Sequence, residues 1–471
     1  MNFTKASFKI FASNVGNSLV LFGGLTFFAR SLGPTSMGQY FLFWAIAGGS
    51  IILIDLGVSN ALEKRVSEAT NQSRISGAAS MISAGILLIS SGLIYYFKSN
   101  LNHYIGAPLS KLLIVLLIVR QGATLMKKLL SAELRVGQTA ILRLTRRVIF
   151  VFSGVIFINY GVDGAKALVY GQIIGYTVIG VWAWKRKSTT ISWPKKSEFK
   201  SLFEFSRYGF LTDAGGYLYN WTDILVIGFF LQQSATGAYE MSWRVAGVVM
   251  IASNAIHLTM FPQISRWDAT GNLSRIESLI QKIIFPSVVL VIPAFVGVSI
   301  LSYDILKTLF SPEYTIASTA LVILFASKLI QSVHVLFERT LSAIDRPDLT
   351  AIAMGSSMII NILLNLILVP VAGLSGAAMA TTIASLINLI LHYKFLSSII
   401  AIRIPARRLM WCVVSSVVMG IILYLIKLSI TVSSIFDLGS IIGICALLYA
   451  LFLILSQDIR HDILVGIKKI V

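Results

Sequence analysis

The stretch GQYFLFWAIAG at residues 38–48 recurs as GAYEMSWRVAG at residues 237–247, and this repetition decides the fold. A glycine, a tyrosine, a tryptophan, an alanine and a second glycine occupy the same positions in both copies, at an offset of 199 residues. Residues 130–141 match residues 341–352 at an offset of 211, and the glycines and alanine at 161–165 match those at 373–377 at an offset of 212. Three ordered matches at a nearly constant offset indicate an internal duplication.

The composition surrounding this repeat is that of a membrane protein. Of 471 residues, 56% are hydrophobic and 13% are charged, about half the charged share of an ordinary soluble domain. Apolar runs of roughly 20 residues, the length of one bilayer span, occur from near the start to near the end. This excludes a soluble enzyme. The two cysteines, Cys412 and Cys445, lie in apolar runs, which excludes a disulfide framework and a cysteine-rich metal site.

We predict an all-α polytopic protein with about fourteen transmembrane helices. We place them near residues 8–30, 39–59, 76–97, 107–126, 139–160, 164–184, 206–231, 237–261, 283–303, 316–341, 349–370, 375–396, 409–428 and 436–456. Six helices separate equivalent spans, so the two copies share one membrane orientation. Such a parallel repeat, about an axis along the membrane normal, is typical of transporters that alternate access between two lobes.

The predicted organisation is therefore two pseudo-symmetric six-helix bundles followed by two additional helices. The N-terminal lobe covers residues 1–197 and the C-terminal lobe residues 198–400. Residues 401–471 hold the last two helices and a tail. The longest cytoplasmic stretch, residues 185–205, contains KRK and PKK and is interpreted as a linker between the lobes.

Positive charge predicts the orientation. Of 39 lysines and arginines, thirty fall on the side that carries both termini, six on the opposite side and three within spans. The positive-inside rule places both termini in the cytoplasm. The net charge of +19 reflects this topology and attraction to anionic lipid, and it does not require nucleic-acid binding. The longest outer loop, about residues 304–315, leaves no room for an extramembrane catalytic region.

Four stretches carry a family resemblance: FFARSLGPTSMGQYFLFWAI at residues 27–46, DLGVSNALEKRVSE at 55–68, TDILVIGFFLQQSATGAYEMSWRV at 222–245 and AGLSGAAMATTIASLINLIL at 372–391. On these residues the chain resembles the multidrug/oligosaccharidyl-lipid/polysaccharide flippase superfamily, in its Wzx-like polysaccharide-biosynthesis branch. The ALEKR stretch is most similar to archaeal oligosaccharide flippases. The likeness spans about residues 8 to 400.

The resemblance implies movement of a polyprenyl-phosphate-linked or polyprenyl-pyrophosphate-linked oligosaccharide from the cytoplasmic to the outer leaflet. The cell membrane of a bacterium or archaeon is the implied location, with glycan-assembly proteins as partners. A V-shaped cavity between two six-helix bundles is the implied path. Helices thirteen and fourteen are an addition that only some members share.

Two intramembrane cations are the first candidate site residues. Arg120 and Lys328 each lie about 12 residues from the outer end of a predicted helix, which is roughly 18 Å at 1.5 Å per residue. Subtracting the repeat offset places Lys328 one helical turn from Arg120, on equivalent helices. An intramembrane charge costs about 2.5 to 3.5 kcal/mol on insertion scales, so a substrate role is expected. We expect both to attract the carrier-lipid phosphate in one central cavity, with packing against a carboxylate or carbonyls as the alternative.

The seventh predicted helix carries the densest polar arc. At 100° per residue, Asp213, Gly216, Tyr217, Asn220 and Asp223 fall within about 120° of one another. We interpret this arc as a cavity wall in which Tyr217 and Asn220 contact substrate sugars. Packing and membrane-interface aromatic belts account for the tyrosine equally well.

A charged pair is predicted between the seventh and eighth helices. Asp223 and Arg244 lie at similar depth on either side of a short turn, and Glu240, one turn from Arg244, competes for it. Pairing of this kind is the usual way in which a membrane tolerates charge. If Asp213, Asp223 or Glu240 titrates or binds Na⁺, it couples transport to a gradient of H⁺ or Na⁺. Arg244 is also a candidate for binding substrate phosphate.

The same sequence leaves three further functions open. A cation-coupled multidrug exporter of the same superfamily commonly has a carboxylate in its first helix, and here that helix contains no acidic residue. A lipid II flippase and a non-transporting assembly subunit also stay open. No P-loop, catalytic triad or dinucleotide motif occurs, so we predict no enzyme activity and no cofactor. His257, His334 and His392 lack metal-site spacing, and we interpret them as packing residues.

Overall fold

The computed structural model describes residues 3–68 and 71–460, without the side chains at 3–15, 17–19, 136, 208, 211, 212 and 258. These ranges contain sixteen α-helices, one 3₁₀ helix at Pro312–Ala317 and no strand. The prediction of an all-α protein is confirmed. The helices are α1 (Phe3–Asp55), α2 (Val58–Glu68), α3 (Gln72–Tyr96), α4 (Lys98–Ile105), α5 (Ser110–Ala132), α6 (Val136–Asn159), α7 (Gly164–Arg186), α8 (Lys196–Phe230), α9 (Gln233–Val248), α10 (Met250–Ala269), α11 (Leu273–Val288), α12 (Val291–Leu309), α13 (Ser318–Ala343), α14 (Pro347–Ser397), α15 (Ala406–Ser429) and α16 (Ile435–Ile454).

The helices form two compact units, Met1–Gly237 and Ala238–Val471. In the first unit, α5 and α6 pack on α7, and α2 and α3 pack on α5. In the second unit, α13 packs on both α12 and α14, and α15 packs on α12 and α16. The division of the chain into 1–197, 198–400 and 401–471 stays a prediction. The tail from residue 461 onward, with Lys468 and Lys469, lies outside the described residues.

Two of the elements are pairs of helices joined at a glycine. Gly33 in α1 has φ 72°, and Gly373 in α14 has φ 56°, so each interrupts the helical backbone. A residue with a Cβ rarely adopts positive φ, whereas glycine does so readily. Pro34 and Pro370 stand close to these breaks. The two long elements therefore correspond to the four shorter helices predicted for these regions.

Eight helices of the described chain are long and apolar enough to cross a membrane, or up to ten if each of two bent pairs is one span. The protein is thus a multi-pass membrane protein, as predicted. The α6 helix carries three arginines, and α8 begins among lysines. The fourteen predicted segments are mostly helical, but residues 56–57, 249 and 289–290 interrupt the segments at 39–59, 237–261 and 283–303, and residues 107–109 precede α5. Their number as membrane spans stays a prediction.

The sequence repeat is also a repeat of backbone conformation. Leu134 and Asp345, which are equivalent in the repeat, both have positive φ, of 62° and 60°. The residue after each donates its N–H to the carbonyl five residues earlier, over 3.0 Å from Arg135 to Leu130 and 2.9 Å from Arg346 to Leu341. A left-handed conformation is unusual for leucine and aspartate. Its recurrence at one repeat position indicates that both copies need the same tight turn between helices.

Two repeat-equivalent glycines form a close backbone contact. A Cβ added to Gly38 would overlap the carbonyl of Gln233, and one added to Gly237 would overlap the carbonyl of Pro34. The start of the helix after the Gly33 break therefore lies directly against the start of α9. Small residues are what allow helix backbones to approach this closely in membranes. This contact explains why both copies of the opening stretch begin with glycine.

The segment predicted as a linker is short and bound to the first unit. Because α7 ends at Arg186 and α8 begins at Lys196, only residues 187–195, here called the strap, lie outside helix. Glu133 accepts hydrogen bonds from the backbone N–H groups of Ser188 and Thr189, both over 2.8 Å. The N–H of Ser192 donates to the Ser73 carbonyl over 3.0 Å. The strap therefore lies against the start of α3 and the end of α5.

Candidate functional site

In the first unit, Arg120 lies on the face of a tryptophan. Its guanidinium carbon is 5.0 Å from the centroid of the Trp44 ring, and Nη1 donates to the carbonyl of Ala47 over 3.5 Å. A cation at this distance is attracted by the negative face of the ring. Among the described residues, no carboxylate forms an ion pair with Arg120. The sequence-predicted cation is therefore held by aromatic and carbonyl groups, with its positive charge uncompensated by a neighbouring acid.

Trp44 belongs to a stack of three rings, Tyr40, Trp44 and Tyr176, which we call the aromatic shelf. Trp44 lies 6.4 Å from Tyr40 and 6.5 Å from Tyr176, with 23° between the planes in both pairs. The Tyr176 ring also contacts Arg120 at 5.9 Å and Arg146 at 4.7 Å. Helices α1, α5, α6 and α7 thus bring two arginines onto one aromatic surface.

A glutamine ties the second arginine to the other end of the shelf. Gln172 accepts a hydrogen bond from Nη1 of Arg146 over 2.9 Å and donates to the hydroxyl of Tyr40 over 2.8 Å. Gln172 is buried. A buried amide whose carbonyl and amino groups are both bonded has one preferred orientation. Gln172 therefore orients the Arg146 guanidinium relative to the rings.

In the second unit, Lys328 lies one helical turn from the position equivalent to Arg120. Its ammonium nitrogen lies 3.5 Å from the centroid of the Trp243 ring and donates to the side-chain oxygen of Gln331 over 2.9 Å. Only 4% of Lys328 is exposed. Trp243 is the repeat equivalent of Trp44, and α13 is the equivalent of α5. Each unit therefore holds one of the two cations predicted to be intramembrane against the tryptophan of its own copy of the duplicated stretch.

The two tryptophans were not predicted as binding residues, although both belong to the repeat. The useful signal was the combination of two tryptophans at one repeat offset with two cations at a similar offset. Arg146 is one of three arginines near the start of α6, which the charge count assigned to the cytoplasmic side, and nothing in the local sequence of Tyr176 and Gln172 separates them from ordinary membrane-helix residues. Their role depends on how α6 and α7 pack against α1.

The polar arc predicted on the seventh helix lies on α8. Asp213 and Asn220 are exposed, whereas Thr222 and Val226 on the opposite side are buried. The Asn220 amide donates to the Gly216 carbonyl over 2.6 Å, and Asp213 accepts from the Asn60 amide over 3.2 Å. Leu218, which also lies on the side opposite the arc, is exposed, and the side chain of Leu211, a fourth residue of that side, lies outside the described residues. A substrate role for this arc stays a prediction.

Tyr217, in the middle of the arc, is held against α1. Its hydroxyl donates to the carbonyl of Ala45 over 2.5 Å, and its ring stacks with Trp221 at 6.4 Å. The ring also packs on Gly48 and Gly49, where a Cβ would crowd it. Packing and hydrogen bonding thus account for the hydroxyl and one face of Tyr217. The residue connects the α8 arc to the helix that carries Trp44.

The charged residues of α9 form an ion pair within one helix. Arg244 Nη2 lies 2.6 Å from a carboxylate oxygen of Glu240, one turn earlier. Glu240 is buried, and about a quarter of the Arg244 side chain is exposed. Arg244 therefore contacts Glu240, one of the two carboxylates that the sequence predicted as its partners. Asp223 lies half-buried on α8, and its pairing with Arg244 stays a prediction.

Glu63, in the ALEKR stretch, fastens α2 to the end of α5. Its carboxylate accepts hydrogen bonds from Lys128 Nζ over 2.5 Å and from the Ser131 hydroxyl. Burial acts to raise the pKa of the Glu63 carboxyl, but the hydrogen bonds from Lys128 and Ser131 outweigh it and hold the pKa below its ordinary value. Glu63 therefore stays ionised and neutralises Lys128.

The three histidines His257, His334 and His392 of the second unit are buried. The rings of His334 and His392 stack at 6.2 Å, and His257 Nε2 lies 3.1 Å from the Ser287 hydroxyl. Across the described part of the chain, no group of three histidine, cysteine or acidic residues converges to hold a metal ion.

An all-helical, multi-pass membrane protein with a duplicated helical unit and an intramembrane cation in each copy belongs to the class of transporters. Residues 27–319 match the model of a family described as polysaccharide biosynthesis protein. The chain therefore belongs to this family, within the multidrug/oligosaccharidyl-lipid/polysaccharide flippase superfamily, and is a membrane flippase and not an enzyme. The family resemblance of the sequence is confirmed.

Two relatives come from Haloferax volcanii. The chain is 37% identical over 474 residues to "Probable low-salt glycan biosynthesis flippase Agl15", with 100% of both proteins covered. It is 26% identical to "Probable flippase AglR", covering 90% of this chain and 89% of the relative. Among solved structures, it is similar to "Lipid II flippase MurJ, inward closed conformation", with a TM-score of 0.80 and 16% identity, covering 97% of this chain and 100% of that one. At this identity the last likeness concerns the fold alone.

Proposed function

We propose that this flippase moves a polyprenyl-phosphate-linked or polyprenyl-pyrophosphate-linked oligosaccharide from the cytoplasmic to the outer leaflet, by alternating access. The glycan-biosynthesis name of a full-length relative at 37% identity supports the oligosaccharide cargo. Cell-surface polysaccharide or glycoprotein assembly would use this cargo. Glycan-assembly proteins in the same cell membrane are the implied partners.

The observation that carries the proposal is the tryptophan-held cation in each unit, Arg120 on Trp44 and Lys328 on Trp243. A phosphate that crosses the bilayer loses its water, and a fixed cation in a low-dielectric environment offsets much of that loss. An aromatic ring orients the cation through its negative face, and among the described residues no ion pair with a carboxylate accompanies this contact at Arg120. Two such cations, one in each repeat, let either unit attract the phosphate as access alternates.

The glycan requires a different surface. Sugars are bound by hydrogen-bonding side chains and by flat aromatic faces, and a hydrated headgroup needs a polar path. The exposed Asp213 and Asn220 and the half-buried Tyr217 offer such groups on one side of α8. Polar residues are unfavourable toward lipid, which favours an aqueous cavity for this side. The lipid tail would remain beside the bilayer.

Coupling to an ion gradient would involve the carboxylates. Glu240 lies 2.6 Å from Arg244 and would have to release it before binding Na⁺ or H⁺. Asp213 and Asp223, on α8, are the other proposed ion-binding carboxylates. Arg244, once released, would be a third cation for the substrate phosphate.

Charge reversal tests the proposal. Arg120→Glu and Lys328→Glu should each reduce glycan export in cells by at least about tenfold, because a charge-assisted contact worth about 1.5 to 3 kcal/mol is replaced by repulsion. Export is measured as surface glycan, with protein level and membrane insertion followed by immunoblot. Lys98→Glu is the matched control, since Lys98 also lies over an aromatic ring, Tyr95 at 4.4 Å, but is exposed. Normal export in both reversed variants would contradict the proposal.

A further inference from the structure

The first unit contains a second arginine whose positive charge has no acidic partner among the described residues. Arg146 contacts the Tyr176 ring at 4.7 Å and donates one hydrogen bond, to Gln172. A guanidinium group has five N–H donors in a planar fork. The ring covers one of its faces and Gln172 takes one donor, so donors on its remaining edge are available to a ligand. Arg120 contacts the same ring and donates one hydrogen bond, to the Ala47 carbonyl, so it also has N–H donors available to a ligand.

A third cation extends this group along α5. Lys127 lies two helical turns after Arg120, which places the two residues on the same side of the helix. The positive charges of Lys128, Arg143, Arg146 and Arg120 act on Lys127, and the Glu63 carboxylate attracts it. Lys128 is neutralised by Glu63.

Lys127, Arg120 and Arg146 thus repel one another. Among the described residues none of the three forms an ion pair, and the Glu63 carboxylate, which attracts Lys127, is already bonded to Lys128. Such an arrangement is unfavourable by itself. An anion with several oxygens removes the repulsion.

We infer that Arg146 acts with Arg120 and Lys127 as an anion clamp, which binds the phosphoryl oxygens of the carrier lipid's phosphate or diphosphate group. The inference rests on the proposed function and adds Arg146 and Lys127 to the substrate-binding residues. Arginine is suited to this role because its planar fork can bind two phosphate oxygens at once, while its face stacks on an aromatic ring. The Tyr176 ring and Gln172 hold that fork in place before the substrate arrives.

Binding of short carrier analogues to the purified full-length protein in detergent tests the clamp directly. The probes are farnesyl phosphate and farnesyl diphosphate, with farnesol as the uncharged analogue and glucuronate as a sugar carboxylate. The clamp predicts that both phosphorylated probes bind, and that farnesol and glucuronate bind at least tenfold more weakly. Equal binding of farnesol would assign the affinity to the lipid tail, and tighter binding of glucuronate would assign the site to an acidic sugar. Either result overturns the clamp.

Variants of the three cations identify the binding groups. Arg146→Gln should weaken binding of farnesyl diphosphate by about tenfold to a hundredfold, and Lys127→Gln by about tenfold. Arg146→Lys keeps the charge and the length but loses the planar fork, so it should also bind more weakly than the wild type. The matched control is Arg143→Gln, one turn earlier on α6 and exposed. An equal loss in Arg143→Gln would mean a diffuse basic surface and would overturn the clamp, as would wild-type affinity in Arg146→Lys.

Transport and folding measurements separate the two proposals. Each variant is first checked by size-exclusion chromatography and thermal unfolding, and Lys127→Gln and Arg146→Lys serve if Arg146→Gln does not fold. Wild-type binding by Arg146→Gln, together with the expected export defect of Arg120→Glu, would refute the clamp and leave the proposed function standing. A wild-type protein that binds neither phosphorylated probe and exports no glycan would refute both.

Discussion

At the scale of single residues, Trp44 and Trp243 determine how the intramembrane cations are held. Arg120 and Lys328 differ in shape, yet each lies over the tryptophan of its own repeat, at 5.0 Å and 3.5 Å from the ring centroid. A carboxylate partner would compete with an incoming phosphate for the same cation. The ring face attracts the cation more weakly, at about 0.5 to 2 kcal/mol, so a phosphate can displace or share it.

The ion pair between Glu240 and Arg244 yields a prediction about stability. Glu240→Gln should lower the free energy of unfolding by about 3 kcal/mol, because it removes the carboxylate that lies 2.6 Å from a partly buried arginine. The double variant with Arg244→Gln should recover most of this loss, because the positive charge that loses this contact is removed as well. The measurement is chemical unfolding of the detergent-purified protein. Glu68→Gln is the control, since its pairs with Lys64 and Arg65 are half-exposed and should matter little.

The predicted pair between Asp223 and Arg244 can be tested with the same Arg244→Gln variant. If Asp223 also pairs with Arg244, as predicted from the sequence, Asp223→Asn and Arg244→Gln should show a coupling energy in a double-mutant cycle. Restored expression without restored export in the double variant would assign one of the two residues to transport. Strictly additive losses would show that Asp223 and Arg244 do not interact.

At the scale of elements, one carboxylate makes three of the hydrogen bonds that hold the strap at residues 187–195. Glu133, at the end of α5, accepts hydrogen bonds from two backbone N–H groups and from the Thr189 hydroxyl, at 2.8, 2.8 and 2.9 Å. Nearby, Arg135 donates to the Arg186 carbonyl at the end of α7. The turn after α5 is the one with a positive φ at Leu134, so its unusual conformation is what presents both side chains to the strap.

Loss of the Glu133 carboxylate should release the strap. Glu133→Gln replaces charge-assisted hydrogen bonds by weaker neutral ones, each differing by about 1 kcal/mol. We expect limited trypsin digestion near Lys187 and Lys195 to become at least about fivefold faster than in the wild type, as measured on inside-out vesicles. Glu204→Gln, whose exposed carboxylate faces Lys200, is the control and should leave the rate unchanged. An unchanged rate in Glu133→Gln would mean that other contacts hold the strap.

At the scale of the whole molecule, the predicted orientation has both termini in the cytoplasm. The two native cysteines, Cys412 and Cys445, are buried and free, which makes single engineered cysteines informative. In intact cells, a membrane-impermeant maleimide should label Glu313→Cys, near the 3₁₀ helix, and should fail to label Lys200→Cys. Both positions are exposed. The wild-type protein is the background control. Labelling of Lys200→Cys without labelling of Glu313→Cys would mean that the orientation is opposite to the predicted one.

The all-α fold and the internal repeat were predictable because both depend on local patterns. Apolar runs identify membrane helices whatever lies beside them, and the repeated glycines, tyrosines and tryptophans record the duplication directly. The predicted helices at 8–30 and 39–59 cover most of α1, whose helical backbone breaks at Gly33. This break was predictable because Gly33 and Pro34 are visible in the sequence. The linker was the weaker prediction. Its charges indicated a solvated segment, whereas the hydrogen bonds that hold it come from Glu133, 55 residues before Ser188.

The sequence by itself determined the class of protein, the duplication and the two cations that lie within membrane helices. Each of these follows from residue type and spacing along one chain. Only the tertiary structure decided what surrounds the cations. Arg120 on α5 donates to the carbonyl of Ala47, 73 positions away, and both Arg120 and Arg146 on α6 contact the ring of Tyr176 on α7. The physical reason is that helices pack through side chains distant in sequence, and each helix can rotate about its axis without changing its own pattern. The packing of α5, α6 and α7 around Trp44 fixes that rotation.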